Sequence, residues 1–344
     1  MKPIAIDLMG GDHAPSVVVE GLERVSKETD IPILAIGTHE AVAMVEDLSN
    51  VSVLVANEVI DMDEDAAYAV RRKKDSSIVR CAEAVRDGEA SAMFSAGNTG
   101  AAMAASLFKM GRISKVSRPA IATTIPRPGL NVPTILLDSG ANSDCTPEWL
   151  VQFAIMGSVY SELRFNIKAP RVGILSIGEE PGKGNSLVKE TYELLVQDKV
   201  INFIGNCEGR DVMAGTVDVV VTDGFTGNVV LKTLEGGMRA FAKAALKALS
   251  PKDELDTLLD MALPRLAPLI TELSADTYGG AALLGVDGLC LIGHGSSGPE
   301  AIYNAVVEAD KIVRLNLVEA IASTLKQHYT QGDQGARVDS STNI

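Results

Sequence analysis

The sequence predicts a three-layer α/β/α fold on a mainly parallel sheet. Short β-branched runs alternate with longer helical stretches. Most of the runs are almost continuously apolar, which suits strands covered on both faces. The intervening segments are long enough for the crossover helices that parallel neighbours require. The expected strands, in order, are 4–8, 33–36, 51–55, 92–95, 135–137, 172–177, 201–204 and 217–222, and a further apolar run at 289–292 is suited to end a strand and open a helix. Residues 1–330 read as one two-lobed unit, and the polar stretch 331–344 as a disordered tail.

With 344 residues, 46% hydrophobic and 22% charged, the chain can bury a large core but is too polar for an integral membrane protein. A net charge of −14 disfavours general nucleic-acid binding, which needs a basic footprint. An anionic substrate must therefore meet a local basic group, not a global field. Met1-Lys2-Pro3 runs at once into a short strand with Asp7, so no secretory signal is expected and the cytoplasm is the expected compartment. Cys81, Cys145, Cys207 and Cys290 lie far apart without CxxC spacing and read as reduced thiols. His13, His39, His294 and His328 form no ligand pattern, so no metal is expected.

Six of the expected strands end in loops rich in Gly, Asn and Asp. The first is Met9-Gly10-Gly11-Asp12-His13-Ala14-Pro15, and the second Ser95-Ala96-Gly97-Asn98-Thr99-Gly100-Ala101. The others begin at Asp138, Gly178, Gly205 and Asp223. Such loops leading into helices can aim backbone N–H groups and a positive helix end at an anion, and phosphate is the natural candidate. In a parallel sheet the ligand is expected beyond the carboxyl ends of the strands. The P-loop pattern is missing, the first loop lacks the third glycine of the dinucleotide fingerprint, and no GxSxG elbow occurs.

Ile6-Asp7-Leu8-Met9-Gly10-Gly11-Asp12-His13-Ala14-Pro15, Val70-Arg71-Arg72-Lys73-Lys74, the Ser95 loop, the stretch 220–232 and Gly293-His294-Gly295-Ser296-Ser297 together resemble the bacterial phosphate acyltransferases. The resemblance runs in order from residue 4 to about residue 325. It implies the α/β/α architecture shared by phosphotransacetylases and the isocitrate and isopropylmalate dehydrogenases. It also implies a reaction: a fatty acyl group moves from the phosphopantetheine thioester of acyl carrier protein to inorganic phosphate. The acyl phosphate then feeds phospholipid synthesis through a membrane glycerol-3-phosphate acyltransferase. Phosphate itself attacks, so the enzyme needs no strong nucleophile and no cofactor; it positions two reactants, stabilises an oxyanion and helps a thiolate leave.

On that basis Gly10, Gly11, Asp12, His13, Ser95, Gly97, Asn98, Thr99 and Gly100 are expected to cradle phosphate or the pantetheine amides, helped by Asp138 and Asn142. Asp12-His13-Ala14-Pro15 also reads as the start of a helix, with Pro near its first position. Lys183, between Gly182 and Gly184, is expected to meet phosphate or the oxyanion. His294 is expected to donate to phosphate or to protonate the thiolate. Asp223, Thr226, Asn228 and Lys232 are expected to share one loop and first helical turn, so at least one should face the cleft, with Asn228 assigned to catalysis. Asn206, Glu208 and Arg210 form a further set, with Arg210 able to bind phosphate.

Arg71, Arg72, Lys73 and Lys74 form a dense basic run in an acidic chain, a docking surface for an acidic carrier protein. Apolar residues recur at helical spacing through 229–273, interrupted at Ser250-Pro251, and predict a helical hairpin. The resemblance implies a homodimer and a loose membrane attachment through the hairpin tip at Leu258, Leu259, Met261 and Leu263. Ser139 and Trp149 depart from the residues usual in the family. Two other readings fit parts of the pattern: a phosphotransacetylase-like enzyme using acyl-CoA needs the same loops, and a non-catalytic membrane scaffold would explain the hairpin but not the loops.

Overall fold

A computed structural model describes residues 2–130, 132–248 and 275–339. The first half of the chain runs β1 (Ile4–Asp7), α1 (Ser16–Glu28), β2 (Ile33–Gly37), α2 (His39–Val42), β3 (Val51–Val55), α3 (Ala66–Arg72), α4 (Ser77–Arg86), β4 (Ala92–Ser95), α5 (Thr99–Lys109) and β5 (Ala120–Ile125). It continues through β6 (Thr134–Leu137), α6 (Pro147–Phe165), β7 (Arg171–Leu175), α7 (Ser186–Gln197), β8 (Asn202–Cys207), β9 (Val219–Val221) and α8 (Gly224–Ala248). Further along the chain come β10 (Ala281–Leu284), β11 (Cys290–Ile292), α9 (Pro299–Arg314) and α10 (Leu317–Asp339). The eight expected strands are all present, and β11 falls in the 289–292 run. The last helix passes residue 331, where the sequence predicts a tail; residues 340–344 lie outside the described residues. So does the second half of the expected hairpin, including Leu258, Leu259, Met261 and Leu263.

The strands form one sheet in the order β3-β2-β1-β4-β11-β10-β5-β6-β9-β7-β8. From β3 to β11 every pairing is parallel. From β6 to β8 every pairing is again parallel. The three pairings between these blocks, β11 with β10, β10 with β5 and β5 with β6, are antiparallel. Three reversals leave the two blocks running in opposite directions. This corrects the expectation of a single ligand-binding edge: loops after β1, β4 and β11 emerge at one edge, and those after β6, β7, β8 and β9 at the other.

Alternate residues of each strand feed separate cores. Ile4 and Ile6 pack with α1, α6 and α9 on one face. Ala5 packs with α4 and α5 on the opposite face. On that second face, Leu136, Leu175 and Val220 form a smaller cluster beneath Val230, Leu231 and Leu234 of α8. A gap remains between α5 and α8, over the strands where the direction reverses. Later in α8 the apolar stripe leaves the core, and Phe241 is 75% exposed.

One buried ion network ties the second block together. Asp218 is buried and accepts hydrogen bonds from Arg127 Nη2 at 3.1 Å, Arg171 Nε at 2.9 Å and the Arg171 backbone N–H at 2.9 Å. Burial alone would push this carboxyl up, but the hydrogen bonds from Arg171 and Arg127 hold it below the usual aspartate value. Asp218→Asn should cost about 3 kcal/mol at neutral pH, because it leaves the buried Arg127 guanidinium without its counter-charge. A lowered carboxyl contributes stability that is present above its unfolded value and is lost as pH falls through its folded one. The gap between wild type and variant should therefore narrow on acidification, read as urea midpoints at neutral and acidic pH. A gap independent of pH would contradict the assignment.

Candidate active site

Three loops of the first block are stitched side by side. Ser95 Oγ donates to Asp7 Oδ2 at 2.6 Å and accepts from the Gly97 N–H at 3.1 Å, while Met9 N–H donates to Asp7 Oδ1 at 3.0 Å. Asp7 is buried, and desolvation raises its carboxyl despite the hydrogen bonds from Ser77 and Ser95. A Cβ on Gly10 would lie 2.7 Å from the Gly97 nitrogen, so the two loops touch only because residue 10 is glycine. The loop after β11 joins them through Asp12 N–H to Gly295 O at 2.8 Å and Gly293 N–H to Ser95 O at 2.9 Å.

The second block presents a different construction. Asp138 is fully buried, and its carboxylate accepts from the backbone N–H groups of Ile121, Gly140, Ala141 and Asn142 and from Asn142 Nδ2. Burial raises this carboxyl in spite of those donors. Asn142 Nδ2 also donates to Pro119 O at 2.9 Å, and the Gly224 N–H donates to Asn142 O at 2.7 Å. Asp223 accepts from the Thr226 N–H and from Thr226 Oγ1, both at 2.8 Å, and so caps α8. Asp138, Asn142, Asp223 and Thr226 therefore have their polar atoms engaged in holding the start of α8 against the sheet.

From that anchor α8 crosses the gap and reaches the first block. Lys232 Nζ lies 3.3 Å from His294 Nε2 and 3.0 Å from Glu235 Oε2. An ammonium has only donors, so the contact to His294 is a hydrogen bond when Nε2 offers its lone pair. On the other side of the ring, Nδ1 lies 2.9 Å from Ser296 Oγ and accepts from the Ser296 N–H at 3.3 Å. These groups border a cavity of about 180 Å³ whose wall includes Thr99, Thr123, Ser139, Asn228 and Ser297 as well as apolar Phe94, Ile121 and Leu231. Thr123 Oγ1 and Ser139 Oγ are 2.6 Å apart, and Ser139 Oγ donates to Ile121 O at 3.0 Å.

Of the expected residues, the cavity gathers His294, Asn228, Lys232 and Thr99. Gly10, Gly97 and Ser95 build the loops beside it, with Gly11, Asp12 and His13 in the same first loop; Asp12 and His13 are exposed. Asn98 caps α5 through the Ala101 N–H and donates to the carbonyls of Asp61, Met62 and Glu64. A Cβ on Gly100 would meet Ala66 at 2.8 Å, so that glycine serves the contact of α5 with α3. Lys183 is not brought to this cavity. It is exposed on the loop after β7, where Asn206 Nδ2 donates to Glu180 O at 2.7 Å. Arg210 pairs there with Glu179 at 2.7 Å and Glu208 at 2.6 Å.

Sequence reasoning missed Thr123, Glu235 and Tyr278, which line the cavity. Thr123 stands in a strand that alanine and threonine made inconspicuous, and Glu235 reads as an ordinary helix carboxylate. In the basic run, Lys73 is tied to Glu64 and to Val59 O, and Arg72 donates to Tyr68 Oη at 3.1 Å. Arg71, Arg72 and Lys74 remain exposed. The loop before β5 adds exposed Arg112, Lys115 and Arg118, the last 5.1 Å from the Trp149 ring centroid. No thiol is poised as a nucleophile: burial pushes Cys145, Cys207 and Cys290 up to about 12 and Cys81 well above its ordinary value.

This mixed α/β fold resembles those of solved phosphotransacetylases. A phosphotransacetylase from Staphylococcus aureus matches with a TM-score of 0.57 at 15% identity, covering 93% of this chain and 94% of its own. A branched-chain phosphotransacylase from Enterococcus faecalis matches at 0.54 and 14%, covering 90% and 99%. In sequence, the profile of the family described as "Fatty acid synthesis protein" matches residues 2–320. A phosphate acyltransferase of Pelotomaculum thermopropionicum is 47% identical over 337 residues, 96% of this chain and 97% of its own. That of Dictyoglomus turgidum is 43% identical over 339 residues, 96% and 99% respectively. The chain belongs to the phosphate acyltransferase family and is an acyltransferase.

Proposed function

We propose that this enzyme transfers a fatty acyl group from the thioester of acyl carrier protein to inorganic phosphate, with the reaction in the cavity under α8. The observation that carries this reading is the meeting of Lys232 and His294 across the seam, over a wall of hydroxyl groups and apolar side chains. A phosphate oxygen attacks the thioester carbonyl carbon; the C–O bond forms, the C–S bond breaks, and the thiolate takes up a proton. Lys232 opposes the charge of phosphate and of the oxyanion, His294 stands beside it to move the proton, and Asn228 can donate to the carbonyl oxygen. Thr99 and the Gly10 and Gly97 loops border the entry for phosphate or pantetheine.

The exposed Arg71, Arg72 and Lys74 would meet the acidic carrier, and the acyl phosphate would pass to a membrane glycerol-3-phosphate acyltransferase. No helix among the described residues is long and apolar enough to cross a membrane. The exposed Phe225, Val229 and Phe241 of α8 support a homodimer paired through α8, and we assign peripheral attachment to the cytoplasmic face of the membrane to the apolar residues Leu258, Leu259, Met261 and Leu263 of the sequence. The test is to incubate the protein with phosphate and either long-chain acyl carrier protein or the matching acyl-CoA, and to measure acyl phosphate. Product from the carrier alone is expected. Product from acyl-CoA alone would replace the donor, and none from either would end the reading.

A further inference from the structure

The cavity under α8 is an unusual place for a phosphate, because it contains a carboxylate. Among the described residues lining it, Lys232 and Glu235 carry the formal charges. Glu235 has only 19% of its side chain exposed and pairs with Lys232 at 3.0 Å. Toward a fully deprotonated anion this carboxylate is a repulsive neighbour in a partly desolvated space, where charge interactions are stronger than in water. Toward an anion that still carries a proton it is a hydrogen-bond acceptor, since an ionised carboxylate only accepts. Phosphate at neutral pH retains at least one P–OH group, whereas sulfate retains none.

We infer that Glu235 is the specificity-determining residue for the anion: it accepts a hydrogen bond from the P–OH of phosphate while Lys232 neutralises the remaining charge, and its bare carboxylate excludes sulfate. This rests on the placement of phosphate in the α8 cavity proposed above. The two neighbours then have separate tasks, attraction from the lysine and selection from the glutamate. Sites that hydrogen-bond a particular substrate hydroxyl reject analogues lacking it strongly, because the site's own polar group is left unpaired. Specificity of this kind needs such a repulsive element as well as an attractive one.

The experiment measures acyl phosphate formation from acyl carrier protein against phosphate concentration, with added sulfate or with chloride at matched ionic strength, for wild type, Glu235→Gln and Lys232→Met. Wild type should be insensitive to sulfate beyond the chloride control. In Glu235→Gln the amide can donate to a sulfate oxygen, so sulfate should become a competitive inhibitor, and selectivity for phosphate should fall by roughly 10²-fold. Sulfate competition in wild type as strong as in the variant would overturn the inference. So would a Glu235→Gln enzyme that stays insensitive to sulfate while Lys232→Met raises the KM for phosphate, and in that case phosphate still belongs in the cavity. If neither substitution altered the KM for phosphate, the placement itself would fall, and the role of Glu235 with it.

Discussion

Lys232→Met should lower phosphate-dependent acyl transfer by roughly 10²- to 10³-fold, the usual loss when one preorganised donor to a developing oxyanion is removed. The effect should divide between a higher KM for phosphate and a lower kcat, since the ammonium opposes charge in both ground and transition states. His294→Gln should act mainly on kcat, because the amide keeps a donor but cannot move a proton. Both side chains are exposed, so neither change should disturb melting. The informative comparison is Lys183→Ala. Lys183 extends from the opposite sheet edge to that of His294, on a loop joined to Glu208 and Arg210 and not to the cavity. Its loss should cost less than about tenfold, the scale of a distant rim charge acting on encounter with the carrier. If Lys183→Ala abolished transfer and Lys232→Met did not, the chemistry would lie at the β7–β8 edge, and the cavity would need another role.

That comparison also shows where the sequence was readable. Runs such as 33–36 and 217–222 announce themselves because strands buried on both faces leave no polar alternation. β5, Ala-Ile-Ala-Thr-Thr-Ile between Pro119 and Pro126, and β10, four residues between Gly280 and Gly285, do not. Yet these two inconspicuous strands reverse the sheet. Without them, the six glycine-rich loops read as neighbours on one edge; with them, the Gly10 and Gly97 loops stay together while the Lys183 and Asn206 loops move to the far side. Pairing direction depends on contacts between residues more than a hundred positions apart, such as Ala122 with Ala282, and no local pattern encodes it. His294 and Lys232 were legible one at a time, from a glycine-flanked histidine after a strand and a lysine expected in the first turn of a helix, which the structure places about two turns further along α8. Their contact was not, because it depends on the direction in which α8 crosses the seam. Asp138 and Asp223 show the converse: polar residues in glycine loops resemble ligands in sequence, but here they satisfy backbone donors.

Gly227→Ala is expected to be the most damaging glycine-to-alanine substitution among the described residues. A Cβ at residue 227 would collide with the carbonyl oxygen of Asp138, a backbone atom, and fall 3.2 Å from Ser139 Cα. Neither partner can yield easily. The Asp138 carboxylate fastens its own loop through the N–H groups of Ile121, Gly140, Ala141 and Asn142, and Gly224 at the helix start is itself bonded to Asn142 O. The helix must therefore lift, at a cost of roughly 3 kcal/mol by the measure of overpacked cores. Lifting also carries Asn228 and Lys232 away from the cavity wall, and a displacement near 1 Å at a catalytic group costs about 10²-fold in rate. Melting temperature and acyl transfer should fall together. Gly236→Ala supplies the control on the same helix: among the described residues no atom outside its own helix backbone lies within 4 Å of the added Cβ, and alanine is the better helix former by up to about 1 kcal/mol. That variant should match or exceed wild type in stability and keep its activity. If Gly227→Ala behaved like Gly236→Ala, close contact between α8 and the Asp138 loop could not be what holds Lys232 against His294.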